Sequence, residues 1–261
     1  MPRVTIETID KIAFVTLNRP EKMNAVDMDM AEGIVEAGES LVEADIRAVV
    51  LSGAGKAFCA GLDVMSFAKH AAGDPEARIM PRTHGKTNLF QEVAMVWRKV
   101  PVPVIGAVQG VAFGAGFQLA LGADIRIAAP GTKLAVMEMK WGLIPDMGGM
   151  VLLPKLARSD VIRKLTYTAE PIEAEQGERW GLVTEINEQP FERAKEIAQQ
   201  IAGKSPSAMR AAKRLIGFAE SGAGEEEVLL EESREQASLM GKADQMEVIA
   251  ANMAGRDPEF K

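Results

Sequence analysis

Three polar side chains in and after a glycine-rich stretch of this 261-residue chain have the types and spacing of a catalytic group. The stretch is Gly114-Ala115-Gly116-Phe117-Gln118, and the carboxylates Glu138 and Asp146 follow at separations of 20 and 8 residues. The first N–H groups of a helix have no partner within it and carry partial positive charge. Small residues there let two N–H groups converge on a developing oxyanion. The stretch predicts such a turn, or else only close packing of a helix on a sheet.

The carboxylates are the groups that could move protons at such a turn. A buried carboxylate whose pKa is raised can act as a general base. Gln118 cannot act as a base, although its amide can orient a water or a carbonyl by hydrogen bonding. Two plainer alternatives remain open, namely that Glu138 is a surface ion-pair partner and that Asp146 caps a helix before Met147-Gly148-Gly149.

The turn must be positioned by the nearly continuous apolar run from Val104 to Ala123. By its length alone this run could cross a membrane. Its five glycines favour a buried strand at Val104–Val108, a close-packed turn, and a buried helix that opens near Gly114 and ends at Gly122.

The rest of the N-terminal half is predicted to alternate strands and helices. The predicted elements are strands at Val4–Thr8, Ile12–Leu17, Ala48–Leu51, Ile125–Ala128 and Lys133–Val136, and a helix from a cap at Asp27 to about Glu43. Residues 68–88 are polar and irregular and are predicted to form a mobile loop or short helix beside a site.

After about residue 190 the pattern is helical throughout. An amphipathic stripe runs from Ala208 to Ala219, and two further helices are predicted at about Glu225–Met240 and Ala243–Ala254. This helical tail either caps its own core or covers a neighbouring subunit.

Composition excludes several classes of protein. The net charge of −7 disfavours nucleic-acid binding through bulk electrostatics. The single cysteine, Cys59, excludes an internal disulfide and fits a reducing compartment. The N-terminus shows no secretory signal pattern, and two histidines and one cysteine leave few ligands for a structural zinc site. We therefore expect a cytoplasmic protein with no metal.

Several motifs, in order along the chain, resemble the enoyl-CoA hydratase/isomerase family, the crotonase superfamily. They cover almost the whole length and lie at Leu17–Ala25, Ser52-Gly53, Ala57–Asp63, Ala107–Gly110, Gly114–Ala120, Ala123-Asp124 and Gly142–Gly149. The resemblance implies an α/β fold, a spiral of ββα turns over residues 1–195 with an all-helical C-terminal trimerisation region over 196–261. It also implies a homotrimer or a dimer of trimers, with no membrane or nucleic-acid partner.

The resemblance further implies an acyl-CoA thioester substrate and no cofactor beyond its CoA moiety. The thioester oxygen would lie between the backbone N–H groups of Leu62 and Ala115. The residues implied to line the substrate are Met23, Ala25, Ala60, Asp63, Val64, Gly114 and Trp141. Lys22 and Lys56 are candidates for the CoA phosphates, or else solvated surface charges.

Gln118 departs from the family pattern, because hydratases of this family have a Glu at that position. The departure favours double-bond isomerisation of an enoyl-CoA with Glu138 as the base. The alternatives are hydration by Glu138 with Asp146, hydrolysis or dehalogenation by a nucleophilic Asp146 supported by His84, and a member that only binds acyl-CoA. The acyl group stays open among a chain of fatty acid metabolism, an aromatic side chain and a steroid fragment.

Overall fold

A computed structural model describes residues 2–65 and 74–260 of the chain. Six strands form the main sheet in the order β1-β2-β3-β4-β6-β9, and three form a smaller sheet in the order β5-β7-β8. Their bounds are β1 Val4–Ile9, β2 Ile12–Leu17, β3 Ala48–Gly53, β4 Val104–Val108, β5 Val111–Phe113, β6 Ile125–Ala128, β7 Lys133–Ala135, β8 Ile172–Glu173 and β9 Glu185–Ile186. Neighbours pair in parallel except β1 with β2 and β7 with β8, which are antiparallel.

Helices connect and cover these strands. Their bounds are α1 Met28–Ser40, α2 Pro75–Ile79, α3 Leu89–Lys99, α4 Ala115–Gly122, α5 Gly149–Leu152, α6 Ser159–Thr168, α7 Ala174–Arg179, α8 Pro190–Ala202, α9 Pro206–Ala219, α10 Glu225–Leu239 and α11 Ala243–Ala254. Short 3-10 turns lie at Pro20–Lys22, Glu138–Trp141 and Leu153–Lys155. The α/β class with a helical C-terminal region is therefore confirmed.

The central strands β3 and β4 of the main sheet are buried on both faces, as expected of parallel strands covered by helices. Alternate residues of β3 show this, because Val49 and Leu51 join the core under α1, α3 and α4, whereas Ala48 and Val50 join a second cluster with α8. The apolar run that could have been a membrane span forms β4, β5 and α4 instead. Among the described residues, no helix is long and apolar enough to cross a membrane.

The predicted element bounds agree with the structure apart from a few ends. Asp27 caps α1 by accepting a hydrogen bond from the Met30 N–H at 2.9 Å, but α1 ends at Ser40 rather than near Glu43. Of the segment 68–88, residues 68–73 lie outside the described part, and α2 supplies the expected short helix.

The C-terminal part is helical after residue 190, as predicted. The helix α8 packs on β3 and β4, so the proposed division at residue 195 falls inside a helix of the sheet layer, and it stays a prediction. Among the described residues, α10 buries none and α11 buries only Ala251.

Candidate active site

Two backbone turns meet at the start of α4. A Cβ atom on Gly116 would lie 2.3 Å from the carbonyl oxygen of Cys59, and one on Gly61 would lie 2.7 Å from that of Phe113. Neither distance is possible for a real Cβ, so only glycine lets the turns touch here. The same Cβ on Gly61 would lie 3.9 Å from the Ala115 nitrogen. The contact places Gly61, the residue before Leu62, against the backbone at Ala115.

Neighbouring hydrogen bonds leave both predicted donors available. The Val26 N–H donates to the Gly61 carbonyl at 2.8 Å, and the Asp63 N–H donates to the Val26 carbonyl at 2.9 Å. Because N–H groups alternate in direction along an extended segment, the Leu62 N–H points away from Val26. Among the described residues, neither the Leu62 N–H nor the Ala115 N–H, in the first turn of α4, donates a backbone hydrogen bond between elements.

Gln118 is fully buried and its amide is held at both ends. Its Oε1 accepts from the backbone N–H groups of Met147 and Gly149, each at 2.9 Å. Its Nε2 donates to Glu138 Oε1 at 2.7 Å. Since two N–H groups require an acceptor, they fix which end of the amide is oxygen. Gln118 therefore links the segment before α5 to the Glu138 carboxylate, and it orients this carboxylate.

Glu138 begins the 3-10 turn Glu138–Trp141 and is only 9% exposed. One oxygen takes the Gln118 bond, while Oε2 is buried with no hydrogen-bond partner among the described residues. Burial raises the pKa of the Glu138 carboxyl, and the negative charge of Asp146 raises it further, against the lowering effect of hydrogen bonds. A Cβ on Gly114 would lie 3.2 Å from Glu138 Oε1, so the carboxylate lies against the start of α4. Because Glu138 is buried, the alternative that it is a surface ion-pair partner is wrong.

Asp146 lies beside this carboxylate but remains exposed to solvent. Desolvation by the surrounding protein nevertheless raises the pKa of its carboxyl. Because the side chain is exposed, solvent screens and weakens this effect. The helix-cap alternative is wrong, because α5 begins at Gly149 with Gly148 at its N-cap position.

The residues predicted to line the substrate lie around these turns. Met23 and Ala60 are joined by a backbone hydrogen bond of 2.9 Å, and Ala25 lies in the same segment as Met23. Asp63 and the exposed Val64 follow Leu62 directly. Trp141, at the end of the turn that begins with Glu138, is 57% exposed. These placements are compatible with the predicted roles, which stay predictions.

The two candidate phosphate-binding lysines are on adjoining loops. Lys22 and Lys56 are both exposed. A Cβ on Gly55 would lie 2.9 Å from the Pro20 Cβ, so the loops touch next to these lysines. Their predicted contact with the CoA phosphates stays a prediction.

Other candidates for chemistry find no support in the geometry. The hydrogen bonds of His84 go to Thr83, Thr87 and Lys99, not to Asp146. Burial raises the pKa of the Cys59 thiol to about 12. In the described part of the chain, no group of three His, Cys, Asp or Glu side chains could hold a metal ion.

Two buried polar residues at this site were not predicted from the sequence. Arg19 is 8% exposed and pairs with Asp63, and Asn24 is fully buried and donates to the Ala57 and Phe58 carbonyls, so both contact the segment of the predicted donor Leu62. A signal existed at Asn24, which has a φ of 55°, since Asn is enriched among residues with a left-handed backbone.

Comparison with known proteins gives a consistent result. The family described as enoyl-CoA hydratase/isomerase matches residues 7–261. The 1,2-epoxyphenylacetyl-CoA isomerase of Escherichia coli (strain K12) is 35% identical over 250 residues, which cover 94% of this chain and 93% of that protein. The (E)-benzylidenesuccinyl-CoA hydratase of Thauera aromatica is 33% identical over 81% of this chain and 80% of that protein.

The fold comparison agrees with the sequence comparison. The crystal structure of an enoyl-CoA hydratase from Bacillus anthracis superposes with a TM-score of 0.88 at 29% identity, covering 99% of both chains. The relatives thus include both isomerases and hydratases, so similarity alone does not decide between the two reactions.

Proposed function

Because the chain belongs to the enoyl-CoA hydratase/isomerase family, we propose that it shifts the double bond of an enoyl-CoA thioester with Glu138 as the base. The observation that carries this proposal is the Gln118–Glu138 pair. All strong hydrogen-bonding positions of the Gln118 oxygen are used by the Met147 and Gly149 N–H groups. Of this pair, only Glu138 keeps a buried oxygen without a hydrogen-bond partner among the described residues, and that oxygen can take a proton.

The proposed reaction transfers one proton within the substrate. Glu138 Oε2 removes a proton from C2, next to the thioester carbonyl. The electron pair moves to the thioester oxygen, which receives the Leu62 and Ala115 N–H groups. As the enolate collapses, the double bond passes from C3–C4 to C2–C3, and the protonated Glu138 returns the proton to C4. No water, oxidant or further cofactor is consumed.

The raised pKa of Glu138 suits both halves of this cycle. A base with a pKa near the working pH accepts a proton and also gives it back. Gln118 holds one carboxylate oxygen without competing for the proton, since an amide does not titrate in this range.

Hydration by Glu138 together with Asp146 is the second candidate. It is favoured by the position of Asp146, whose charge contributes to the raised pKa of Glu138. In that mechanism one carboxylate activates a water while the other protonates the substrate. The third candidate is a protein that binds acyl-CoA without turnover, in which neither Glu138 nor Asp146 would transfer a proton.

A paired assay separates these candidates. Purified protein is given a 3-enoyl-CoA and a 2-trans-enoyl-CoA of matched chain length, and wild type is compared with Glu138→Gln and Gln118→Glu. We expect isomerisation of the 3-enoyl substrate to exceed hydration of the 2-enoyl substrate. Glu138→Gln should lower kcat by about 10²–10⁴-fold, the usual contribution of a positioned base.

Gln118→Glu tests the role of the neutral amide. One oxygen of the new carboxyl still accepts from Met147 and Gly149, but the other would face Glu138 Oε1 at the 2.7 Å position now held by Nε2. Two carboxylates at this distance share a proton, so isomerisation should fall and any hydration should rise. Efficient hydration by wild type would overturn the isomerase proposal, and no turnover of either substrate would favour the binding role.

We also propose that the chain forms a homotrimer and acts in the cytoplasm. The support is the sparsely buried C-terminal helices α10 and α11, the family membership and the single buried cysteine. The charge of −7 continues to argue against a nucleic-acid partner.

A further inference from the structure

We propose that Arg19 is a positioning residue: through Asp63 it holds the Leu62 N–H in place for the thioester oxygen. The proposal rests on the proposed use of the Leu62 N–H, and it assigns a task to a residue outside the reacting group. Among the described residues, the Arg19 guanidinium has no hydrogen bond or ion pair with Glu138 or Gln118.

The segment that carries Leu62 is sandwiched between two others. On one side, hydrogen bonds join Ala60 N–H to the Met23 carbonyl at 2.9 Å and Asp63 N–H to the Val26 carbonyl at 2.9 Å. On the other side, Gly61 contacts the Phe113 carbonyl. Leu62 therefore takes its position from the 23–26 segment, and any shift of that segment would move its N–H relative to Ala115.

Arg19 ties both segments to one guanidinium. Its Nη1 donates to the Ala25 carbonyl at 3.0 Å and lies 3.5 Å from Asp27 Oδ2, while its Nη2 lies 2.8 Å from Asp63 Oδ2. The Arg19, Asp27 and Asp63 side chains are only 10–15% exposed. A planar guanidinium can span two acceptors in fixed directions, which the single ammonium of lysine cannot do.

Asn24 ties the backbone at Arg19 to the loop at residues 54–58. Its Oδ1 accepts from the Arg19 N–H at 2.8 Å, and its Nδ2 donates to the carbonyls of Ala57 and Ala54 at 2.8 and 2.9 Å. The Cys59 thiol also donates to the Asn24 carbonyl at 3.1 Å. These bonds hold the Arg19 backbone in place. From there, the Arg19 side chain reaches the segment that carries Leu62 through its ion pair with Asp63.

The consequence for function follows from the sensitivity of oxyanion sites to geometry. Loss of one such donor lowers kcat by about 10²–10³-fold. A misplacement of about 1 Å can cost about 10²-fold. Loosening the Arg19–Asp63 contact should therefore weaken polarisation of the carbonyl while leaving most contacts to CoA in place.

The test uses an inert ligand, butyryl-CoA labelled with ¹³C at the thioester carbonyl, and difference infrared spectroscopy. This saturated thioester can be neither isomerised nor hydrated, so the readout does not depend on which reaction is correct. In wild type we expect the carbonyl stretch to move to lower wavenumber on binding. In Asp63→Asn, which keeps the side-chain shape and the capacity to accept hydrogen bonds, the shift should shrink markedly.

Kinetics and a matched control complete the test. With the true substrate, Asp63→Asn should lower kcat about 10–100-fold with little change in KM. Arg3→Gln is the control, because Arg3 pairs with Asp27 at 2.6 Å in the same charge network but not with Asp63. It should leave the carbonyl shift and kcat near wild type. Arg19→Lys keeps the charge and should behave like Asp63→Asn.

Three outcomes would contradict the proposal. A full wild-type carbonyl shift in both Asp63→Asn and Arg19→Lys would remove the positioning role. An equal loss in Arg3→Gln would show only a general effect of the charge network on stability. A wild-type carbonyl that does not move on binding would contradict the oxyanion site itself, and the positioning role with it. In contrast, a wild-type protein that shifts the carbonyl stretch of butyryl-CoA but isomerises no enoyl-CoA would contradict only the proposed reaction.

Discussion

At the scale of single residues, the pH at which Glu138 can work depends on its burial and on the neighbouring charge of Asp146. Burial is the larger cause of the raised pKa of Glu138, and the Asp146 carboxylate adds to it. A base acts only when deprotonated, so kcat/KM should rise with pH through the pKa of Glu138. Asp146→Asn removes a negative charge and should lower that pKa.

The measurement is the pH profile of kcat/KM for wild type and Asp146→Asn. We expect the acid-side midpoint to move to lower pH in the variant, whatever its maximal rate. A midpoint that stays in place would show that Asp146 does not act on the Glu138 carboxyl. A lost rate with a shifted midpoint would give Asp146 a direct role as well.

Stability should change in the opposite direction to activity at Glu138. A carboxyl whose pKa is raised in the folded state stabilises the fold most at a pH below its unfolded pKa. That contribution is lost as the pH rises through the folded pKa, because the ionised form is buried at a cost. Glu138→Gln should therefore raise the free energy of unfolding at neutral pH, by on the order of 1 kcal/mol.

Chemical denaturation at two pH values checks this expectation. The gain from Glu138→Gln should be present at pH 7 and should shrink below the ordinary glutamate pKa, where the wild-type carboxyl is protonated in both states. The new amide can accept the Gln118 Nε2 bond through its oxygen, so that bond is kept. If Glu138→Gln is inactive but also less stable at pH 7, the ionised Glu138 carboxylate does not destabilise the fold, and the expectation is wrong.

At the scale of elements, the contact between α4 and the 59–61 turn depends on the absence of a Cβ at Gly116. In Gly116→Ala the new methyl would meet the Cys59 carbonyl oxygen and Cβ at 2.3 and 2.7 Å. The turn must then move away from α4, which should cost about 1–3 kcal/mol as an overpacked core does. It should also separate Leu62 from Ala115 and lower kcat.

Gly217→Ala in α9 is the matched control for that substitution. A Cβ at Gly217 has 4.0 Å to its nearest neighbour, the Arg98 Nη2, so it meets no obstacle. Replacing glycine by alanine in a helix should stabilise the protein by up to about 1 kcal/mol. Thermal unfolding and steady-state kinetics of both variants separate the two effects. Equal behaviour of the two variants would show that the Gly116 contact is not a constraint on the site.

Local pattern was sufficient to predict most of these elements, but not the network that joins them. The strand β4, the helix α4 and the cap at Asp27 each have a short-range signal in apolar runs, glycines or a capping residue. The contacts of Arg19 with Asp63 and of Gln118 with Met147 span 44 and 29 residues. The hydrophobic periodicity of the sequence does not predict such pairings, because they depend on how distant turns stack in the fold.

At the scale of the whole molecule, the sequence left open where the C-terminal helices lie. The stripe on α9 predicted an amphipathic helix, and α9 does attach to the body through the Lys213 ammonium, which reaches Asp124 at 2.7 Å. No similar anchor was predicted for α10 and α11. Large apolar side chains on them remain exposed, at 53% for Leu229, 50% for Leu230 and 86% for Met253. A clustered exposed apolar surface is typical of an interface.

The proposed trimer is tested by removing apolar surface from α11. Ile249 on α11 and Ile6 on β1 are closely matched, at 43% and 42% exposed. If the C-terminal helices form the subunit interface, Ile249→Arg should lower the mass of the particle, because burying an unpaired charge at an interface is costly. Ile6→Arg should leave the mass unchanged. Light scattering at several protein concentrations should give wild type three, or six, times the chain mass of 28.1 kDa. A wild type that stays at a single chain mass would refute the trimer, and equal loss in both variants would refute the choice of interface.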